Sequence, residues 1–231
     1  MDFRDRHIVI AGGTGALGTA VTGALLDRGA TCHIPMHGSD DAAGFAHAVH
    51  ERVRLYSSVD LSDQDQTDSF YTKVGSLWAS IHLAGGFAAK PLKDSGKSDL
   101  MAQLDTNVVS CFLCCRAALA AFGAGGGRIV NVAARPALEP RTGAGMTAYT
   151  IAKSGVAAFT AALAEEVAKD GVLVNAVAPS IMDTPSNRKA IPKADHALWP
   201  KVEQVAATIV FLASPENTVT RGAVVPVYGR S

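Results

Sequence analysis

The chain has no surplus of charge of either sign. Lys and Arg total 21, as do Asp and Glu, so the formal net charge is zero. A protein that grips a phosphate backbone needs a basic excess, so nucleic acid is not expected as a partner. Long apolar runs are also missing. Hydrophobic residues make up 48% of the chain, within the globular range, but each stretch reads as broken by Gly, Asn or charge before a bilayer-spanning length, so no membrane partner is expected. The opening MDFRDRHIVIAGG carries acids and passes straight into a strand-like run. That is unlike a secretory leader, and a cytoplasmic location is the default expectation. Cysteine is scarce: Cys32, Cys111, Cys114 and Cys115. The last three fall in SCFLCCRAALAAF, where no second Cys or His pair stands at zinc spacing. They read as small side chains buried on a packed helix, and no metal is expected. Repeats, low-complexity tracts and linkers are absent too. A chain of 231 residues is long enough for one sizeable domain and short for two, so residues 1–231 read as one domain.

What is present is an alternation. Apolar β-type runs at 7–11, 31–36, 53–57, 79–84, 127–133, 172–178 and 223–228 are separated by helical patterns. The helices are expected near 40–50, over 64–76, from about Lys97 to Phe122, around Tyr149 and over VEQVAATIVFLAS, with another after the first strand. Strands apolar on both faces and separated by helices imply a parallel sheet covered on both sides. The expected fold is α/β: a doubly wound, Rossmann-type sheet of about seven strands.

The first strand runs into AGGTGALGTA, where Gly12, Gly15 and Gly18 form G-x-x-G-x-x-G around Ala16 and Leu17. Glycine permits a sharp turn and a close backbone approach, and a helix N-terminus offers free N–H groups to a pyrophosphate. A dinucleotide is therefore the expected ligand, with a bare strand–helix turn as the alternative. Such proteins usually place an acid after the second strand for the ribose. Here Met36 and His37 hold those positions, while Asp40 and Asp41 come later and suit a helix cap. His37 could face a 2′-phosphate or be a solvated turn residue, so NAD and NADP stay open.

Tyr149 and Lys153, four apart, share one helix face. An ammonium beside a phenol favours the phenolate and lowers a pKa that is ordinarily near 10. The spacing therefore brings a proton donor and a tuning charge together. Asn107 stands mid-helix, where Asn is unfavourable, and marks either a site or a plain irregularity.

Taken in order, Gly12/Gly15/Gly18, SVDLSD, LAGG, Asn107 and Tyr149-x-x-x-Lys153 resemble the short-chain dehydrogenases/reductases across nearly the whole chain. LAGGFAAK, AARPALEPRTGAGMTAYTIAK and DTPSNRKAIPKADHALW are most similar to segments of the dihydropteridine reductases within that superfamily. The resemblance implies an NAD(P)H cofactor held by the glycine loop and flanked at the adenine by Asp60 and Leu61. Asp60 also suits a cap. Ala84, Gly85 and Gly86 would let the cofactor lie against the fourth strand. Pro179, Ile181 and Thr184 would wrap the carboxamide, although Pro179-Ser180 replaces the usual Pro-Gly. Tyr149 would be the general acid, with Lys153 beside the ribose and Asn107 holding a relay water.

The resemblance also exposes a gap. Ala133 and Ala134 stand where most members carry a serine that donates to the substrate oxygen. Such a donor typically contributes about 10²–10³ in rate. Reduction of a quinonoid C=N group needs no stabilised alkoxide, so the gap favours a planar, pterin-like substrate, unless Thr142 or Thr147 substitutes. Phe87 is expected either to stack on that substrate or to anchor a buried loop, and Ala134 lines the same place. A general carbonyl or alcohol oxidoreductase is the alternative, and a catalytically idle dinucleotide sensor is a third. The small-residue helices CCRAALAAF and SGVAAFTAALA imply, by the same analogy, a homodimer or homotetramer.

Overall fold

A computed structural model describes residues 1–38 and 42–231. Asp40 and Asp41, expected to cap a helix, lie outside the described residues.

Seven strands form one parallel sheet: β1 (His7–Ala11), β2 (Thr31–Pro35), β3 (Val53–Tyr56), β4 (Ala79–His82), β5 (Gly127–Val132), β6 (Val172–Pro179) and β7 (Val224–Val227). Their order across the sheet is β3-β2-β1-β4-β5-β6-β7. The direction of winding reverses between β1 and β4, which opens a crevice beyond their carboxyl ends, the usual ligand position in such sheets. The helices are α1 (Ala16–Leu26), α2 (Gln64–Val74), α3 (Lys97–Leu104), α4 (Ser110–Ala121), α5 (Arg135–Leu138), α6 (Thr147–Glu166), α7 (Pro185–Ala190) and α8 (Val202–Ala213).

The strands read as unbroken apolar runs because both faces are buried. On β1, Ile8 and Ile10 pack with Leu17, Val21 and Leu25 of α1 and Val205 and Ile209 of α8. Val9 and Ala11 turn to the opposite face, against Phe70 of α2, Cys114 and Ala118 of α4 and Val156 of α6. At about 25 cal/mol per Å² of apolar area, this two-sided burial dominates the drive to fold.

Three expectations about the chain are corrected. No regular helix occupies 42–50. Phe45, Ala48 and His50 instead donate to the carbonyls three residues back, and Gly44 at φ +80° interrupts any helical run. The helix from Lys97 is not one regular element, since Asp105–Val109 forms a π turn between α3 and α4. Nor do apolar stretches all break early. Lys97–Ala121 is 25 helical residues, long and apolar enough by length to cross a bilayer. Here it is a core helix, with Cys111, Leu113, Cys114, Cys115 and Ala118 turned inward. Those cysteines face the sheet, and the outward face instead presents Phe112, whose ring lies 5.5 Å from that of Phe159.

Candidate active site

The glycine loop joins β1 to α1 and packs too closely for side chains at two of its three repeat positions. Gly12 has φ +77°, and a Cβ there would sit 2.6 Å from the Ala84 nitrogen. A Cβ on Gly18 would press on the Gly12 carbonyl oxygen and lie 2.6 Å from the Gly13 carbonyl carbon. These two glycines serve the fold of the loop. Gly15 is different. It is exposed, and a Cβ there would meet only the Gly12 oxygen at 3.5 Å. It also occupies the N-cap of α1 without any side-chain cap. Exposed Gly15 and Ala16 therefore open the helix N-terminus toward the crevice, while Leu17 is buried beneath. This fits a pyrophosphate held by backbone N–H groups and helix dipole.

The adenine end is less committed. Met36 is buried and His37 is exposed. Asp60 accepts from the Ser62 amide (2.8 Å) and hydroxyl (2.7 Å), and these bonds hold its carboxyl below the usual range. Asp60 therefore does not cap the following helix, as the sequence also allowed, but ties down its own turn. Asp63 is the actual cap of α2, accepting from the Gln66 amide. Leu61 is half-buried against the α2 side of the core.

Asn107, Gly85, Gly86 and Lys153 come together beyond β4. Asn107 is almost fully buried in the π turn. Its amide nitrogen donates to the Gly86 and Gln103 carbonyls, both at 3.0 Å, and its oxygen accepts from the Gly86 amide at 3.2 Å. The mid-helix asparagine is thus no plain irregularity. It fastens the 84–86 loop to the helix. A Cβ on Gly85 would lie 2.7 Å from the Asn107 oxygen and 3.2 Å from Lys153 Nζ, so glycine there keeps the crevice floor open. Lys153 Nζ donates to the Val132 carbonyl at 2.8 Å.

The electrostatics of the Tyr–Lys pair differ from the expectation. Burial pushes the Tyr149 phenol up to about 12, with no lowering by Lys153. Burial also brings Lys153 down to about 8, with Cys111 acting in the opposite sense. The ammonium lies 6.0 Å from the Tyr149 ring centre and is directed at Val132, so desolvation outweighs the attraction.

The Phe87 and Tyr149 rings stand edge-to-face, with centroids 5.0 Å apart and planes at 84°. Phe87 is 64% exposed, which removes the reading of it as a buried anchor. Ala134 is buried and N-caps α5. Of the two threonines that could stand in for serine, Thr142 turns its hydroxyl into its own loop, donating to the Glu139 carbonyl at 2.8 Å. Thr147 begins α6, two residues before Tyr149. Pro179 ends β6, and Ser180 donates to the Tyr228 carbonyl without adopting a left-handed backbone. Ile181 is exposed, and Thr184 caps α7 by accepting from the Asn187 amide.

Sequence reasoning missed His82, Gln103 and the Val132 carbonyl. His82 and Gln103 carry no spacing signal, and a backbone acceptor leaves none.

A family profile described as short chain dehydrogenase matches residues 6–195. A cis-4-hydroxycyclohexanecarboxylate dehydrogenase of Sinomonas cyclohexanicum is 30% identical over 98% of this chain and 96% of its own length. A galactitol 2-dehydrogenase of Rhizobium johnstonii is 31% identical over 95% and 92%. Among solved structures, a short-chain dehydrogenase/reductase from Mycobacterium ulcerans superposes with a TM-score of 0.89 at 25% identity, covering 99% of this chain and 90% of that one. ElxO with NADP bound gives 0.86 at 22% identity over 97% of both, a likeness of fold.

Proposed function

This chain belongs to the short-chain dehydrogenase family, and from that premise we propose that it is a nicotinamide-dependent reductase whose proton donor is Tyr149 and whose preferred acceptor is flat and conjugated. The glycine cradle and the bare Gly85 floor fit a dinucleotide. When bound, the nicotinamide supplies a hydride to the substrate. Tyr149 then gives its hydroxyl proton to the atom on which negative charge develops. Burial raises the phenol to about 12, so Tyr149 carries its proton at neutral pH and has it to give. Lys153, near 8, can pass a proton on at little cost at the same pH, so the two buried groups suit donation and resupply. Asn107 positions the loop that borders them.

The observation that carries the substrate reading is Ala134. By the resemblance, buried Ala134 stands at the position where most members carry the oxyanion-donating serine, and the Phe87 ring stands edge-to-face with that of Tyr149. A planar imine or quinonoid substrate, of which a dihydropterin is the type, stacks against such a ring and requires no alkoxide stabilisation. A second reading, an ordinary carbonyl or alcohol oxidoreductase, is favoured by the names of the two relatives above, a hydroxycyclohexanecarboxylate dehydrogenase and a galactitol 2-dehydrogenase. In it Thr147 would replace the serine. We also infer a homodimer or homotetramer joined across the outward faces of α4 and α6, where Phe112 and Ile151 are exposed.

The test is oxidation of NADH and of NADPH with quinonoid dihydropterin, then with a panel of ketones. Faster turnover of the planar acceptor supports the proposal. Turnover of ketones alone replaces it with the second reading. Binding of cofactor with no turnover at all marks a sensor.

A further inference from the structure

Below the crevice, one turn along the helix from Asn107, a second group of side chains converges. Cys111 and Cys115 stand four apart on α4 and so share a face. His82 reaches the same point from the end of β4. The ring nitrogen and two sulfurs lie within 4.8 Å of one another, and all three side chains are buried. Asn131 of β5 adds an oxygen, with Oδ1 at 2.8 Å from His82 Nδ1 and 3.5 Å from Cys115 Sγ. We propose that Cys111, Cys115, His82 Nδ1 and Asn131 Oδ1 form a closed binding site for a thiophilic divalent cation of the zinc type.

The donor chemistry selects the ion. Two sulfurs and an imidazole suit zinc, cadmium or cobalt and reject magnesium and calcium. Two thiolates neutralise one divalent charge, so the loaded site adds no net charge to the core. Four protein donors with no open position describe a structural site. Its outer partners are already in place. His82 Nε2 lies 2.8 Å from Ser80 Oγ, which lies 2.7 Å from the Tyr71 hydroxyl. The Asn131 amide donates to Thr160 Oγ1 at 3.0 Å and thereby turns its oxygen toward the imidazole. Such partners hold metal-ligating groups in orientation.

The same network accommodates both states. Without a cation, Nδ1–H donates to Asn131 and Nε2 accepts from Ser80. With one, Nδ1 turns its lone pair to the metal and Nε2–H donates to Ser80. Loading therefore requires both sulfurs as thiolates and moves the imidazole N–H from Nδ1 to Nε2. Burial of all the donors means that loading accompanies folding or transient opening.

The test uses the whole protein, reduced and freed of metal by a chelator. Cobalt(II) should bind at about one equivalent per chain with a sulfur-to-cobalt charge-transfer band and tetrahedral visible bands. Zinc at about 100 times its Kd should raise Tm by roughly 5–10 °C. The double variant Cys111→Ala/Cys115→Ala should lose both effects, and Cys114→Ala should keep them. Ser80→Ala, which removes only the outer partner of the imidazole, keeps all four donors. It should weaken affinity by about 10–100-fold. Absence of the charge-transfer band in folded wild type overturns the proposal, as does its persistence in the double variant. Unchanged affinity in Ser80→Ala removes His82 from the site.

Discussion

Lys153 is a buried charge whose cost can be worked out. Only 6% of the residue is exposed, and burial takes its ammonium from 10.5 down to about 8. The unfolded chain thus binds this proton more tightly than the folded one. The sign follows: charged Lys153 costs stability at every pH below about 8, and the cost is relieved as pH climbs toward 10.5. At about 1.36 kcal/mol per pKa unit, the whole penalty is on the order of 3 kcal/mol, of which about 2.5 kcal/mol disappears between about pH 7 and pH 10. Lys153→Met keeps the stem and removes the charge. It also strands the Val132 carbonyl, a loss of about 1–3 kcal/mol that does not vary with pH. Tyr149, raised to about 12, works in the opposite sense above about pH 10, where the unfolded phenol ionises first. It is present in both proteins and cancels. Urea melts of wild type and variant across this range should therefore give a stability difference that moves in favour of wild type by about 2–3 kcal/mol as pH rises. Parallel curves would show that Lys153 bears no buried charge and would remove the proton-resupply role given to it.

Tyr149→Phe should lower kcat by about 10²–10⁴ with little change in cofactor affinity, measured by steady-state rates and fluorescence titration; a variant at full rate would remove the phenol from the reaction. Gly18→Ala places a methyl against the Gly12 carbonyl and should abolish dinucleotide binding while lowering Tm, read by calorimetry and thermal melts. Ala134→Ser supplies the missing donor and should raise ketone reduction by up to about 10²–10³ while leaving a planar acceptor little affected; equal gains on both substrates would defeat the conjugated-acceptor reading.

The sheet was legible because parallel strands buried on both faces spell continuous apolar runs. Ile8–Val9–Ile10–Ala11 feeds two cores in alternation, and no polar residue betrays one side. Residues 42–50 misled because the alanines there suit a helix, whereas Gly44 breaks the backbone. The glycine loop was read from its place between strand and helix, but the sequence did not separate Gly12 and Gly18, which serve packing, from Gly15, which faces the crevice. Tyr149 and Lys153 were legible as neighbours and not as electrostatic partners. Their ionisation follows burial and the Val132 carbonyl, neither of which leaves a mark in spacing. His82 was invisible for a related reason: 28 residues of intervening chain separate it from Cys111, and only the β4–α4 packing brings them together.

The π turn at Asp105–Val109 has a geometric consequence. One residue more than a regular helical turn holds is accommodated there, and each residue of a helix is worth about 100° of rotation. α3 and α4 are therefore out of phase by roughly that angle, and Asn107 sits in the offset, free to aim its carboxamide sideways at Gly86. Excising a single residue, such as Val108, would let the two segments merge into one straight rod. Either Asn107 would swing away from the crevice, or the whole cysteine face of α4 would roll off the sheet.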